Sequence, residues 1–164
     1  MIRVRRLVST IALCSALTIA VAGCHKKIPP PAPRPLTDEE IFARKSVDQL
    51  NSERPLDDVY FDLDKSEIRD DARPALQKNA DWLKKWGTTQ ITLEGHCDSR
   101  GSAEYNLGLG SRRATAVREY LVSLGVPAGR VTVVSKGKEQ PFCNEETESC
   151  WQQNRRGHFM ITGK

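Results

Sequence analysis

An aspartate and an arginine, Asp98 and Arg113, are the residues of this sequence whose types and placement point to binding chemistry. Asp98 follows an alternating apolar stretch, residues 91–95, which suits a strand with one buried face. Arg113 lies one helical turn before Val117, at the margin of an apolar stripe. An Asp at a strand end and an Arg on the next helix can meet at the rim of a sheet. Such a pair can grip a ligand that carries both an ammonium and a carboxylate, so we interpret the region as a binding site.

The elements that must position this pair are a strand, a turn and a helix. Residues 98–101 have the composition of a turn, and Ser102 is suited to cap a helix that enters at Ala103. Arg112 points about 100° away from Arg113 on that helix. The apolar residues that recur at helical spacing, and should therefore face the core, are Ala114, Val117, Leu121 and Leu124.

Catalytic and metal chemistry find little support in the sequence. The run His96-Cys97-Asp98 is tempting as a metal site, but consecutive strand residues point to opposite faces and cannot all reach one ion. The spaced His and Cys set that zinc usually needs is missing, as are a Gly-x-Ser-x-Gly elbow and a phosphate-binding loop. We therefore expect a protein without enzymatic activity, cofactor or metal.

Residues 1–23 have the pattern of a secretory signal peptide, with a basic start followed by an apolar run. That run holds about 15 residues, fewer than the about 20 that a membrane-spanning helix needs. Residues 21–24, Val-Ala-Gly-Cys, resemble a bacterial lipobox, which implies cleavage before Cys24 and attachment of lipid to it. His25, in place of Asp, favours the outer membrane by resemblance to enteric sorting rules. Simple secretion and an uncleaved anchor are the alternatives.

The charge of the exported part is close to neutral. Three of the 25 Lys and Arg residues lie in residues 1–23, which leaves 22 against 21 Asp and Glu. Nucleic-acid binding needs a concentrated basic surface, so we expect no nucleic-acid partner.

Export to an oxidising compartment makes the cysteines candidates for disulfide bonds. Cys14 leaves with the signal peptide and Cys24 takes the lipid. Cys143 and Cys150 bracket a polar loop, and we predict that they are bonded to each other. Cys97 is then an odd thiol, which we interpret as a small buried residue at the end of a strand.

The chain divides into three parts: a signal peptide (1–23), a tether (24–55) and a folded domain (56–164). The tether begins as a polyproline stretch, which is extended and semi-rigid. A capping box at residues 37–40 opens a short helix through about Leu50, which we expect to be only partly ordered.

The folded domain is predicted to be α+β, with strand, helix, strand, helix, strand, a small helix and a last strand in that order. This arrangement places helices on one face of a small mixed sheet. The predicted strands are residues 59–61, 91–95, 131–135 and 157–162, and the predicted helices begin near residues 70, 103 and 149.

Four stretches of the chain, in order and correctly spaced, carry a known family pattern: residues 59–66, 94–101, 105–114 and 154–156. They resemble the opening strand, the two signature blocks and the closing motif of the OmpA-like C-terminal domain family. The resemblance covers about residues 56–162 and, with the lipobox, points to lipoproteins of that family. Gly108 departs from the pattern, and a glycine inside a helix costs about 1 kcal/mol.

The resemblance implies non-covalent binding of the peptidoglycan stem peptide, chiefly its diaminopimelate, whose side chain ends in a zwitterion. By motif position Asp98 accepts the ammonium and Arg113 clamps the carboxylate. Further contact positions by motif are Leu63, Asp64, Leu109 as an apolar wall, and Asn106 as a polar contact or a support of the loop. Plainer interpretations stay open, because Asp98 can cap a turn and Arg113 can be an ordinary surface arginine. Arg155 and Arg156 are expected to divide between an internal anchor and the rim of the site.

The same resemblance implies a lipid-anchored place in the outer membrane, with the domain in the periplasm. The implied partners are peptidoglycan and the Tol system, TolB in particular, during envelope constriction. Two alternatives remain: a lipoprotein of this family outside the Tol system, and the targeting module of a peptidoglycan-processing enzyme.

Overall fold

The structure, a computed structural model, describes residues 34–164. The predicted signal peptide, the lipidation residue Cys24 and most of the polyproline stretch lie outside the described residues. Among the helices in this range, none has the length and apolar character that crossing a bilayer requires.

The described residues form an α+β fold, as the sequence predicts. Its strands are β1 (Val59–Tyr60), β2 (Gln90–His96), β3 (Val131–Gly137) and β4 (Arg156–Gly163). Its helices are α1 (Asp38–Arg44), α2 (Val47–Glu53), α3 (Arg73–Lys85), α4 (Ala103–Ser123) and α5 (Glu148–Asn154). The strand order is β1-β4-β2-β3, with β2 and β3 parallel and β4 antiparallel to β1 and β2. The sheet is therefore mixed, as expected.

The core lies between this sheet and the apolar stripes of α3 and α4. Ile91 and Leu93 of β2 are buried on one face of the sheet, in line with their alternation in sequence. The predicted stripe of α4 and the apolar residues of α3 are buried against them: Ala114, Val117 and Leu121 of α4 with Leu76, Ala80 and Leu83 of α3. Leu124 is only half-buried, because α4 ends one residue before it.

The N-terminal segment differs most from the sequence-based expectation. The compact unit begins at Leu36, whereas we predicted a folded domain from residue 56 and a loose tether before it. Leu50 is only 2% exposed within the core, and the Asn51 side chain pairs with the backbone of Ile161 in both directions, each bond 2.9 Å long. Residues 36–55 therefore belong to the folded unit.

The single predicted helix of this segment is two helices, separated at Lys45 and Ser46. Lys45 is extended, and Ser46 opens a second capping box in which its hydroxyl accepts from the backbone N–H of Gln49 at 3.1 Å. A Ser followed by Gln three positions later is a readable start signal. The sequence interpretation missed it because the first box at Thr37 already accounted for a helix.

Cys143 and Cys150 are bonded to each other, and Cys97 is a buried free thiol. The loop that the disulfide closes is also held by Asn154 at the end of α5. Its side chain accepts from the backbone N–H groups of Phe142 and Cys143 at 2.8 and 3.0 Å and donates to the Cys143 carbonyl at 2.7 Å.

Replacing Cys143 and Cys150 together by Ser is expected to lower the free energy of unfolding by about 2.5 kcal/mol, the chain-entropy value for so short a loop. Urea unfolding of the variant beside the wild type measures this difference. A matched comparison is wild type under reducing conditions, which should lose the same amount. An unchanged free energy in both would mean that Asn154 alone fixes the loop.

Candidate functional site

One cleft of about 310 Å³ collects all the residues that the sequence selects for ligand binding. Those residues are Leu63, Asp64, Asp98, Asn106, Leu109 and Arg113. The cleft lies where the turn after β1, the loop after β2 and the first half of α4 meet. Its remaining lining residues are Cys97, Arg100, Gly101 and Tyr105. Spacing and motif position thus identify residues that the fold brings together.

A very close approach between α4 and β2 fixes the position of the cleft. A Cβ atom at Gly95 would lie 1.8 Å from the carbonyl oxygen of Gly110. A Cβ atom at Gly110 would lie 2.4 Å from the Ser135 hydroxyl and 2.6 Å from the Gly95 carbonyl oxygen. All three distances are far inside van der Waals contact, so the helix reaches the strand only because both positions are glycine.

Asp98 is buried at the base of the cleft, with 5% of its surface exposed. Its carboxylate accepts from the Arg100 guanidinium at 2.7 and 3.2 Å and from Arg155 at 3.1 Å. Burial alone raises the pKa of Asp98, but these hydrogen bonds outweigh it and hold the pKa below its ordinary value. The carboxylate also accepts from the backbone N–H of Arg100 at 3.2 Å, so it caps the turn as well. The turn-cap interpretation and the site interpretation are both compatible with this geometry.

Arg113 lies inside the domain and not on the rim. Its guanidinium donates to the carbonyl groups of Lys65, His96 and Asp62 at 2.9, 2.8 and 3.0 Å. Burial lowers the pKa of Arg113, yet an arginine stays charged at physiological pH. The interpretation as an ordinary surface arginine is therefore wrong. A guanidinium has five N–H groups, so two remain beyond these three bonds.

The other selected residues form the rim and the wall of the cleft. Leu63 is 54% exposed, and Asp64 adopts a left-handed backbone conformation with φ of 59°. Leu109 is buried in the wall, as expected of an apolar surface. The Asn106 amide donates to the carbonyl groups of Arg100 and Ser102 at 2.7 and 3.0 Å, which favours its interpretation as a support of the loop.

Arg100 and Tyr105 are lining residues that the sequence interpretation did not select. The Arg100 guanidinium stacks on the Trp151 ring, 4.0 Å from its centroid, while it binds Asp98. The Tyr105 hydroxyl donates to the Asp64 carboxylate. Both residues lie inside the two signature blocks, residues 94–101 and 105–114, so their position in the sequence could have marked them as candidates for the site. Their side-chain directions depend on tertiary contacts that no local pattern contains.

Arg155 and Arg156 are both buried, so neither lies on the rim where we expected one of them. Arg155 anchors the site from behind, since it binds Asp98 and also donates to Glu148 at 2.6 Å. Arg156 binds Asp58 at 3.1 Å and belongs to a different cavity. Arg155 caps the end of α5 and Arg156 begins β4, so the two neighbouring side chains belong to different elements and enter the domain at different places.

Metal binding finds no support in the described part of the chain, where no three His, Cys, Asp or Glu side chains cluster suitably. His96 contacts the Gln140 carbonyl through Nδ1 at 3.1 Å, whereas the Cys97 thiol donates to the Asn106 carbonyl at 3.4 Å. Gln140 follows β3 and Asn106 lies in α4, so the His96 and Cys97 side chains contact different elements. Burial raises the pKa of the Cys97 thiol, which makes it a weak nucleophile and a weak metal ligand.

The cleft therefore offers two carboxylates, two guanidinium groups and an apolar wall within one small volume. Carboxylates accept from an ammonium, and guanidinium groups donate to a carboxylate. The arrangement suits a ligand that ends in a zwitterion on a short aliphatic chain.

Comparison with known proteins shows similarity over most of the chain. The model of the OmpA family matches residues 60–155. A peptidoglycan-associated lipoprotein of Brucella melitensis is 40% identical over 158 residues, which cover 94% of this chain and 93% of that protein. A protein of the same description from Rhizobium meliloti is 43% identical and covers 90% of this chain and 84% of its own length.

Solved structures agree with these relatives. The crystal structure of the peptidoglycan-associated lipoprotein from Burkholderia pseudomallei is 40% identical, with a TM-score of 0.60, over 65% of this chain and 89% of that one. The C-terminal domain of Helicobacter pylori MotB also has a TM-score of 0.60, over 65% of this chain and 84% of that one, but only 19% identity. The second likeness concerns the fold alone.

Proposed function

The chain belongs to the OmpA family, and from this membership and the geometry of the cleft we propose that it binds peptidoglycan non-covalently. A lipid on Cys24 anchors the protein in the outer membrane, and the domain grips the cell wall from the periplasm. The protein thereby fastens one layer of the envelope to the other. The observation that carries this proposal is the assembly of all six selected residues in one cleft.

The ligand group that we propose is the zwitterionic end of diaminopimelate in the stem peptide. Asp64 is exposed at the cleft and accepts the ammonium together with Asp98. Arg100 lies on the exposed side of Asp98 and receives the carboxylate first, while Arg113, which is fully buried behind the wall, reaches it only with the N–H groups that its three carbonyl bonds leave over. The apolar wall, with Leu109, contacts the methylene groups. An ammonium that approaches Asp98 has to share this carboxylate with Arg100.

Asp98→Asn is expected to weaken binding to purified murein sacculi about tenfold or more, because a hydrogen bond to a charged group contributes about 1.5–3 kcal/mol. Asp64→Asn should weaken binding comparably and leave the melting temperature unchanged, since this carboxylate is exposed. Asp70→Asn is the matched control, because Asp70 is an exposed carboxylate outside the cleft. The measurement is pulldown of the exported chain with sacculi.

The two site variants separate a binding role from a structural one. Asp98 also orders the domain through Arg155, so its variant needs a melting curve beside the pulldown. If Asp64→Asn, Asp98→Asn and Asp70→Asn all bound sacculi as wild type does, the assignment of the site would be wrong.

We further propose that the protein works as the lipoprotein of a Tol system, with TolB as a partner in envelope constriction. The likeness to peptidoglycan-associated lipoproteins over nearly the whole chain supports this reading. Co-purification with TolB from cross-linked envelopes tests it, and its absence would favour a lipoprotein outside the Tol system. The other alternative is that the domain targets a peptidoglycan-processing enzyme to the wall. Incubation with murein followed by product analysis tests it, since only an enzyme would release cleavage products.

A further inference from the structure

The first helix of the described chain, α1, is attached to the domain mainly through one half-buried side chain, Phe42, which packs against the edge of the core and contacts Trp82 and Trp86. None of its residues is buried. The Phe42 ring stacks on Trp86, with ring centroids 4.0 Å apart and planes within 5°. Asp38 forms an ion pair with Lys85 at 2.7 Å, and both partners are largely exposed. Exposed ion pairs of this kind add little to stability, so the aromatic stack is the principal attachment.

A third attachment joins the end of α1 to Lys164. The Lys164 ammonium donates to the carbonyl groups of Phe42 and Ala43 at 2.8 and 2.9 Å. These carbonyls belong to the last turn of the helix, where a positive charge is favourable. A helix of seven residues is too short to persist alone in water, so α1 and its attachments should form and dissolve together.

The next helix, α2, is attached far more deeply. Leu50 is buried in the core, and Asn51 exchanges two hydrogen bonds with the backbone of Ile161 in β4. Removing these contacts exposes core surface and leaves backbone groups of the sheet unpaired. The extended break at Lys45 and Ser46 separates this deep attachment from the shallow one of α1.

We propose that residues 36–46 form a detachable clasp, which releases when the lipid tether is pulled, and that Leu50 and Asn51 stop the release. This inference rests on the proposed anchoring function, in which the membrane pulls on the chain from the N-terminal side. Tension from that side loads α1 before it loads α2. Once extended, residues 36–46 span up to about 36 Å.

Release of the clasp lengthens the tether without loosening the grip on the wall. The clasp is held by contacts of Phe42 with Trp82 and Trp86, by the ion pairs Asp38–Lys85 and Lys45–Glu53, and by Lys164. None of these residues lines the binding cleft. The device therefore gives the envelope a reserve of length while the head stays bound to peptidoglycan.

Hydrogen exchange of the full chain in detergent micelles tests the difference in attachment. The amides of α1 should exchange about tenfold faster than those next to Asn51, because local opening precedes global unfolding. Phe42→Ala should accelerate amide exchange in α1 by about a further tenfold and leave the exchange rates of α2 unchanged. Ile41→Ala is the matched control, because Ile41 stands on the same helix and is 42% exposed. Equal rates in α1 and α2 would overturn the proposal.

Force spectroscopy tests the response to tension directly. The chain is held by its lipid in a nanodisc and by a handle on Gln153→Cys, an exposed site on α5. Wild type should extend in two steps, the first of about 20–35 Å, and Phe42→Ala should lower the force of that step alone. A single transition that unfolds clasp and domain together would overturn the inference. Sacculus binding is measured separately, so failure of the anchoring function and absence of the first step are distinct results.

Discussion

Gly95→Ala is expected to lower the free energy of unfolding by about 3–5 kcal/mol, among the largest effects that a single substitution has. The added Cβ atom would lie 1.8 Å from the Gly110 carbonyl oxygen, which belongs to the helix backbone and cannot rotate away. The whole of α4 would have to move off β2, and the cleft would open at its base. Urea unfolding with a melting curve measures the loss, and sacculus binding should fall with it.

Gly108→Ala, on the helix that packs against Gly95, is the control. Its Cβ atom would meet only the flexible end of Arg112, at 3.4 Å. This substitution should raise the free energy of unfolding by about 1 kcal/mol, the helix-propensity difference between Gly and Ala. Equal losses in the two variants would show that the backbone freedom of glycine, and not the close approach of α4 to β2, accounts for the effect of Gly95→Ala. The structure gives no reason for the glycine at position 108.

Arg113→Met should lower the free energy of unfolding by about 3 kcal/mol or more, because it removes the common donor of one buried and two partly buried carbonyl groups. Those carbonyls belong to Asp62 and Lys65, in the turn after β1, and to His96, the last residue of β2. Arg112→Met is the matched control, since Arg112 is exposed on the same helix and should change stability by less than about 0.5 kcal/mol. Thermal and urea unfolding of both variants provide the comparison.

Arg113→Lys separates the charge of this residue from its geometry. A lysine keeps the positive charge but lacks the planar fork that reaches three acceptors at once. We expect a loss of stability close to that of Arg113→Met, together with weaker binding to sacculi. Wild-type stability in Arg113→Lys would mean that the charge alone matters and that the three carbonyl contacts contribute nothing.

The strand, turn and helix around the cleft could be predicted from sequence because local patterns encode them. Alternation marks β2, Ser102 marks the start of α4, and helical spacing marks its buried stripe. The burial of Arg113 could not be predicted in the same way. Its acceptors are backbone carbonyls from distant parts of the chain, and any residue type supplies a carbonyl. The order of side-chain types along the sequence therefore does not indicate which carbonyl groups Arg113 will contact.

In the N-terminal segment, the sequence contains a signal for the start of a helix but none for the packing of that helix against the domain. Ser46 and Gln49 form a capping box that predicts the start of a second helix. The neighbouring residues do not indicate that Leu50 is a core residue. The segment has few apolar residues, which is typical of a loose tether. Docking depends on Trp86 and on Ile161, more than a hundred positions from Asn51, and this distance hides the contact from any local pattern.

The strand order of the sheet has a consequence for the timing of folding. Strand β4 lies between β1 and β2, although it follows both of them by many residues in the chain. Until β4 has emerged, β1 has no neighbour to pair with and the two edges of the sheet stay apart. Pairings at such long sequence separation form slowly. A polypeptide that is threaded through a membrane from its N-terminal end therefore cannot complete this sheet until residues 156–163 have reached the far side.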